Sequence, residues 1–93
     1  MDLSIHRWKH RPLVISKDAE GLWQKQQSVL VEADLKERDI VVLFDKSDAF
    51  KVVLYGKDGL KKLESKTPVS QKDLNSLIDS MPMRQSEMRK VAP

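Results

Sequence analysis

Residues 50–63 of this chain, FKVVLYGKDGLKKL, decide the fold. The run Val52–Tyr55 is apolar or aromatic at four consecutive positions, which predicts a strand buried on both faces. The GKDG sequence at residues 56–59 is typical of a hairpin turn, and it leads into another strand at residues 60–63. We therefore expect a central strand and a hairpin in one sheet, with helices above and below that sheet.

Length and composition indicate a single small folded domain over residues 1–93. The chain is 40% apolar and 33% charged, which is too hydrophobic for disorder, and it has no apolar run long enough to cross a membrane. A net charge of +3 is too small to imply nucleic-acid binding. Because the chain contains no cysteine, disulfides, thiol nucleophiles and cysteine-ligated metals are excluded.

Two other apolar runs, at residues 12–16 and 40–44, predict the remaining strands. A helix over residues 19–35, capped by Asp18, joins them into a right-handed βαβ unit with parallel strands. One stripe of this helix contains Leu22, Gln26, Val29, Leu30 and Ala33. Gln26 interrupts the apolar stripe, so it is either a buried structural glutamine with hydrogen-bond partners or a functional group beside an opening.

The two ends of the chain are predicted to be an N-terminal arm, residues 1–11, and a C-terminal tail, residues 83–93. In the arm, we expect Trp8 to cover the edge of the core. His6 and His10 stand four residues apart, but two histidines without a third ligand do not predict a metal site, and we expect no metal or cofactor. Their segment runs into Arg11-Pro12, which opposes a helix.

The last helix has the clearest start signal in the chain. Ser70 and Asp73 form a capping box, and the apolar positions that follow end at about Met81, before Pro82. We predict that the tail after Pro82 packs against the domain, with Arg84 and Glu87 paired across one turn. That tail is either a structural clasp or a functional surface, and the sequence leaves both open.

Several short motifs resemble one known family. They are Trp8, RPLV at residues 11–14, Gln26, ERDIVV at 37–42, YGKDG at 55–59, IDSMPMR at 78–84 and EMR at 87–89. The family is the peroxiredoxin-like, thioredoxin-like domain of unknown function found in bacterial single-domain proteins and vertebrate sushi-repeat-containing matrix proteins. The resemblance implies a minimal thioredoxin-like β-α-β-β-β-α fold, an α/β class with one mixed four-stranded sheet and helices packed on it. Its strand order would be four, three, one, two.

The resemblance implies a fold without redox chemistry. A redox-active thioredoxin relative places cysteine in the first turn of the first helix, where this chain has SKDAE at residues 16–20. The proline that usually precedes the third strand is also missing, since DAF stands at residues 48–50. We therefore expect no enzyme activity and no catalytic residue. The expected function is a non-catalytic binding or protein-interaction module, and its candidate surface is Arg11, Gln26, Met83, Arg84, Glu87 and Met88.

Two other functions remain open. A small anion or anionic substrate could bind to Arg11, Arg84 and the N-terminus of the first helix after Ser16. A polyanion could bind to the basic residues Arg7, Lys9, Arg11, Arg84, Arg89 and Lys90. The sequence does not identify a protein partner or an oligomeric state. No leader precedes the domain, so we expect a cytoplasmic protein, or a secreted or periplasmic one if a leader was removed.

Overall fold

The computed structural model describes residues 3–91, and side chains over residues 3–89. Its elements are β1 (Arg11–Lys17), α1 (Leu22–Ser28), α2 (Glu32–Glu37), β2 (Ile40–Lys46), β3 (Val52–Tyr55), β4 (Lys61–Ser65), α3 (Gln71–Asp79) and α4 (Pro82–Val91). A short 3-10 helix, Ser4–His6, precedes β1. The expectations for residues 1–2, residues 92–93 and the side chain of Lys90 lie outside the described part of the chain.

The four strands form one mixed sheet in the order β2-β1-β3-β4. β1 is parallel to β2, and β3 is antiparallel to both β1 and β4. Leu13 in β1 lies between Val42 of β2 and Leu54 of β3. The predicted α/β class, strand order, parallel first pair and hairpin are therefore confirmed.

The hydrophobic core lies on one face of this sheet. Side chains alternate between the faces of a strand, so Leu13 and Ile15 point to the core face while Val14 points to the other. The helices α1, α2 and α3 all contribute residues to the same core. We expected helices on both faces of the sheet, and this expectation is wrong for α1, α2 and α3, which all pack on the core face. Val14 and Val53, on the opposite face, are short side chains of the two inner strands and are nevertheless more than nine-tenths buried.

The predicted helix over residues 19–35 is wrong, because the chain forms two short helices instead. Helix α1 ends at Ser28, and Val31, the extended residue just before α2, donates its backbone N–H to Oε1 of Gln71 at 2.8 Å. Of the predicted stripe, Val29 and Ala33 are exposed. Asp18 does cap α1, since its carboxylate accepts from the backbone N–H groups of Leu22 and Trp23 at 3.2 and 3.1 Å.

Gln26 is a buried structural glutamine, as one of the two sequence interpretations has it. Its amide accepts from the Val69 N–H at 2.6 Å and donates to the Val69 carbonyl at 2.8 Å. Both ends of the amide therefore bond to one residue of the segment before α3. These two bonds connect α1 to the start of α3, where Ser70 accepts from Asp73 N–H as predicted for the cap.

The N-terminal arm differs from the prediction at Trp8 and at Arg11. Trp8 does not cover the core, because its side chain is 59% exposed and its backbone has φ 70°. Its N–H donates to the Lys57 carbonyl at 2.6 Å, which holds this turn against the β3–β4 turn. Arg11 belongs to the sheet as the first residue of β1, because its N–H donates to the Asp39 carbonyl at 2.8 Å.

The predicted tail is largely a helix, α4. Helix α3 ends at Asp79, before the predicted end at Met81. Pro82 begins α4, because a proline needs no N–H partner in the first turn and has a backbone angle that suits a helix. Residues 80 and 81 form the short connection between the two helices. The described part of the tail, residues 83–91, is thus helical, and α4 packs near the end of α3.

Replacing Gln26 with alanine should destabilise the fold strongly. The change removes the fully buried amide that pairs with the partly buried backbone N–H and carbonyl of Val69, at a cost of about 3 kcal/mol in unfolding free energy. We expect the Tm to fall by more than about 10 °C. The exposed neighbour Gln27→Ala is the matched control and should change stability by less than about 0.5 kcal/mol. Equal denaturation curves for the two variants would contradict this account of Gln26.

Candidate functional site

Charged side chains meet at one edge of the sheet. The parallel strands β1 and β2 begin at this edge, and β3 ends there because it runs in the opposite direction. The edge therefore receives residues from both ends of the sequence. We call the group the ion-pair cluster: Arg11, Glu37, Arg38, Asp39, Lys57, Asp79, Arg84 and Glu87. Its four cations are each more than nine-tenths buried.

Glu87 of α4 joins three parts of the chain. Arg11 donates from Nη1 and Nη2 to the two carboxylate oxygens of Glu87, at 3.3 and 3.1 Å. Lys57 donates from Nζ to Oε2 of Glu87 at 2.8 Å and to Oδ2 of Asp39, also at 2.8 Å. The bidentate arginine contact fixes the direction as well as the position of the carboxylate. Helix α4 is therefore attached to the start of β1 and to the turn after β3.

Asp79 forms the second centre of the ion-pair cluster. Arg38 donates from Nε and Nη2 to the two oxygens of Asp79 at 3.0 and 2.9 Å. Arg84 donates from Nε to Oδ1 of Asp79 at 3.1 Å, and from Nη1 to the Glu37 carbonyl at 3.1 Å. The two centres are connected, because Nη1 of Arg84 also lies 3.8 Å from Oε1 of Glu87. This is the Arg84–Glu87 pair that the sequence predicts across one helical turn.

The electrostatics keep these groups charged. Burial acts to raise the pKa of Glu87, but the hydrogen bonds and charges of Lys57 and Arg11 outweigh it and hold this pKa below its ordinary value. The hydrogen bond from Arg38 is the main cause that lowers the pKa of Asp79, with a further contribution from Arg84. The same bond to Asp79 raises the pKa of Arg38. None of these shifts brings the pKa of Glu87, Asp79 or Arg38 closer to neutral pH.

A cavity of about 260 Å³ opens beside the ion-pair cluster, between the β3–β4 turn and the start of α4. Its lining combines cations with apolar surface: Arg11, Gly56, Lys57, Asp58, Lys62, Met81, Pro82 and Met83. Arg11 is 1% exposed, and its Nε is a buried donor without a hydrogen-bond partner. The cavity is therefore the place where a bound group could lie against cationic side chains and the first turn of α4.

The structure brings together four of the six predicted surface residues. Arg11, Arg84 and Glu87 share the ion-pair cluster, and Met83 lines the adjacent cavity. Gln26 lies elsewhere, under the segment before α3. Met88 is on α4 with about a third of its surface exposed.

The sequence interpretation missed five members of the ion-pair cluster: Glu37, Arg38, Asp39, Lys57 and Asp79. Each lies in a stretch that carried the family resemblance, which was the available signal for choosing it. Charged residues next to a turn are usually solvated, so the burial of Arg38 and Lys57 depends on the partners that the sheet topology supplies.

Over the described residues, no metal site and no membrane-spanning segment is found. No three His, Asp or Glu side chains of that part of the chain are grouped as metal ligands. His6 and His10 do lie close together, with their Nδ1 atoms 3.4 Å apart, but no third ligand is with them. No helix between residues 3 and 91 combines the length and the apolar character that a membrane span requires.

Replacing Glu87 with glutamine should destabilise the domain at neutral pH. The variant leaves the buried cations Arg11 and Lys57 without their shared carboxylate, which should cost about 3 kcal/mol in unfolding free energy. Because folding lowers the pKa of Glu87, its contribution is present above the ordinary carboxyl pKa of about 4.3 and is lost as pH falls through the lower folded value. Urea unfolding from pH 7 to pH 3 measures both effects.

The matched control is Glu32→Gln, which removes an exposed carboxylate paired with Lys36 at 3.2 Å. Such surface pairs contribute less than about 1 kcal/mol. We expect the stability gap between wild type and the Glu87 variant to close in acid, and the Glu32 variant to follow wild type throughout. A gap for Glu87→Gln that stays constant down to pH 3 would show that its charge is not the cause.

Comparison with known proteins gives one match. The model of the family described as Domain of unknown function (DUF4174) matches residues 43–87, or 45 of the 93 residues. The matched region contains Lys57, Asp79, Arg84 and Glu87 of the ion-pair cluster, while Arg11 precedes it. The comparisons with curated proteins and with solved structures gave no match. The chain is thus similar, over just under half its length, to a family whose function is not established.

Proposed function

We propose that this protein is a non-catalytic binding module on a thioredoxin-like scaffold without redox cysteines. The strand order, the parallel β1–β2 pair and the antiparallel hairpin support the thioredoxin-like assignment, because they agree with the arrangement that the family resemblance implies. The sequence contains no cysteine, so this scaffold has no thiol for disulfide or peroxide chemistry.

The observation that carries the proposal is that the two central carboxylates of the ion-pair cluster, Asp79 and Glu87, are bound by cations of the same cluster. A general acid or base needs a pKa near the working pH and access to a substrate proton. Glu87 and Asp79 have lowered pKa values, and both carboxylates bind buried cations of the same chain. These groups hold helix α4 in place, and the exposed surface of that helix is then available to a partner.

Met83 and Met88 are the predicted surface residues that remain accessible, each with more than a third of its surface exposed. Methionine is flexible and polarizable, so it adapts to differently shaped apolar partners. We infer that the partner is a protein that presents apolar side chains to the exposed part of α4 and to the cavity beside Met83.

A photo-crosslinking residue tests this surface in the full chain. Placed at position 88, it should form an adduct with a partner from an extract of the source cells, and the adduct should disappear when unlabelled wild type competes. The same residue at position 29, which is also exposed but lies between α1 and α2, should form no such adduct. If the two positions gave the same adducts, or position 88 gave none, α4 would not be the binding surface.

A second candidate function, small-anion binding, is favoured by the unpartnered Nε of Arg11 beside the cavity. Lys57 and Lys62 line the same cavity, although Lys62 also pairs with Asp58 at 2.9 Å. The N-terminus of the first helix is not part of this site. It lies at the other end of β1 and is already capped by the Asp18 carboxylate.

Thermal shift with inorganic phosphate, nucleotides and small carboxylates tests the second candidate. A ligand that binds only the folded state raises Tm by mass action, and at 100 times its Kd it contributes about 2.7 kcal/mol. The Lys62→Gln variant should lose the shift, while Lys72→Gln, on the exposed surface of α3, should retain it. No shift with any probe, or an equal shift in both variants, would remove anion binding at the cavity.

A further inference from the structure

The most exposed large apolar side chains of the described residues lie in two neighbouring segments. Ile5 is 72% exposed, Leu60 is 61% exposed and Trp8 is 59% exposed. Ile5 and Trp8 belong to the segment before β1, and Leu60 belongs to the turn between β3 and β4. Soluble domains scatter single exposed apolar residues, but a group of large ones marks an interaction surface.

Two contacts and a shared cavity show that the two segments are neighbours. The Trp8 N–H donates to the Lys57 carbonyl at 2.6 Å. The side chain of Arg7 lies against Gly59, where an added β-carbon would be 3.7 Å from it. Both segments also line a small cavity with Pro12 and Tyr55. We call this surface the arm patch: Ile5, Arg7, Trp8, Lys9 and Leu60.

The backbone of Trp8 places its indole outside the core. A φ of 70° is unusual for a bulky residue and persists only where surrounding contacts enforce it. Here the hydrogen bond to Lys57 enforces it, and Arg7 lies over the indole at 5.2 Å from the ring centroid. The arm patch therefore presents a tryptophan in a fixed position, with a cation beside it.

The arm patch is cationic as well as apolar. Residues 3–11 contain no Asp or Glu, and none of the carboxylates described between residues 3 and 89 pairs with Arg7 or Lys9. By contrast, Arg11 and Arg84, which were also candidates for polyanion binding, are buried in the ion-pair cluster. Arg7 and Lys9 are therefore two cations outside the ion-pair cluster that stand in the same segment as the exposed Ile5 and Trp8.

We propose that the arm patch binds peripherally to an anionic lipid surface. Tryptophan is favoured at the boundary between headgroups and acyl chains, where Ile5 and Leu60 can also bury apolar surface. Arg7 and Lys9 then face the anionic headgroups, and each contributes to the attraction. A single-stranded nucleic acid would use the tryptophan and the cations but would leave Ile5 and Leu60 in water. The presence of these two aliphatic side chains favours the lipid.

Vesicle co-sedimentation with the full chain tests the proposal. The protein should sediment with mixed phosphatidylcholine–phosphatidylglycerol vesicles, but not with phosphatidylcholine alone, and added salt should release it. Arg7→Gln with Lys9→Gln should weaken partitioning by roughly 25-fold, taking about fivefold per cation. The matched control, Lys25→Gln with Lys72→Gln, removes two exposed cations elsewhere and should bind within a factor of about two of wild type.

A second pair of variants tests the apolar contribution. Ile5→Ser, Trp8→Ser and Leu60→Ser together should abolish sedimentation, whereas Val29→Ser with Val31→Ser, also exposed, should leave it unchanged. In a Trp23→Phe background, the fluorescence of Trp8 should shift to the blue on anionic vesicles. Circular dichroism melts establish that each variant is folded.

Three results would overturn the proposal. The first is no sedimentation of wild type with anionic vesicles. The second is unchanged sedimentation when Ile5, Trp8 and Leu60 are replaced in a folded variant. The third is salt-sensitive binding to heparin or an oligonucleotide that depends on Arg7 and Lys9, together with no binding to vesicles, which would make the arm patch a polyanion site instead.

Discussion

The contact of Glu87 with Arg11 and Lys57 determines where α4 lies relative to the start of β1 and the turn after β3. Arg11 begins β1, Lys57 follows β3, and Glu87 lies in α4, so one carboxylate connects three elements that are far apart in sequence. Arg11 and Lys57 are almost completely removed from water. A buried cation without a partner is costly, which means that the start of the sheet requires α4 in this position.

Charge, rather than apolar surface, carries the attachment of α4. The helix contributes Arg84 and Glu87 to the ion-pair cluster, while the hydrophobic core obtains its residues from the sheet, from the first three helices and from their connections. Ion pairs of this kind contribute little net stability compared with well-packed apolar residues, but they accept only one geometry. We infer that the cluster fixes the orientation of α4 and the shape of the cavity next to it.

The sheet could be predicted from the sequence because apolar runs and turn residues are local signals. The runs around Leu13, Val42 and Val53 indicated the strands, and the GKDG turn indicated the hairpin. The division of the first helix could not be predicted, because the bond from Val31 to Gln71 that accompanies it depends on tertiary structure. The apolar residues around the break also continue the helical pattern without glycine or proline.

The candidate site was predictable only in part, for a related physical reason. Arg11, Arg84 and Glu87 stood out in their motifs, but nothing local shows that Arg38 and Lys57 are buried. A charge beside a turn is normally hydrated, and its burial becomes acceptable only when strands from different parts of the chain bring carboxylates to it. The position of Trp8 was also predicted wrongly. An aromatic residue was expected to prefer the core, but its side chain is exposed.

The contact between Arg11 and Glu87 also has a consequence for folding kinetics. The two residues are separated by 76 positions, in a chain of 93. Contacts of such high sequence separation close late, because the entropy of a long loop must be lost before the contact forms. The hairpin and α1 can form early from nearby residues, whereas the cations at the edge of the sheet find their partner only after the C-terminal helix has docked. The last step of folding is thus expected to be the docking of α4 on the start of β1, and a molecule stopped before that step exposes a sheet edge with positive charge.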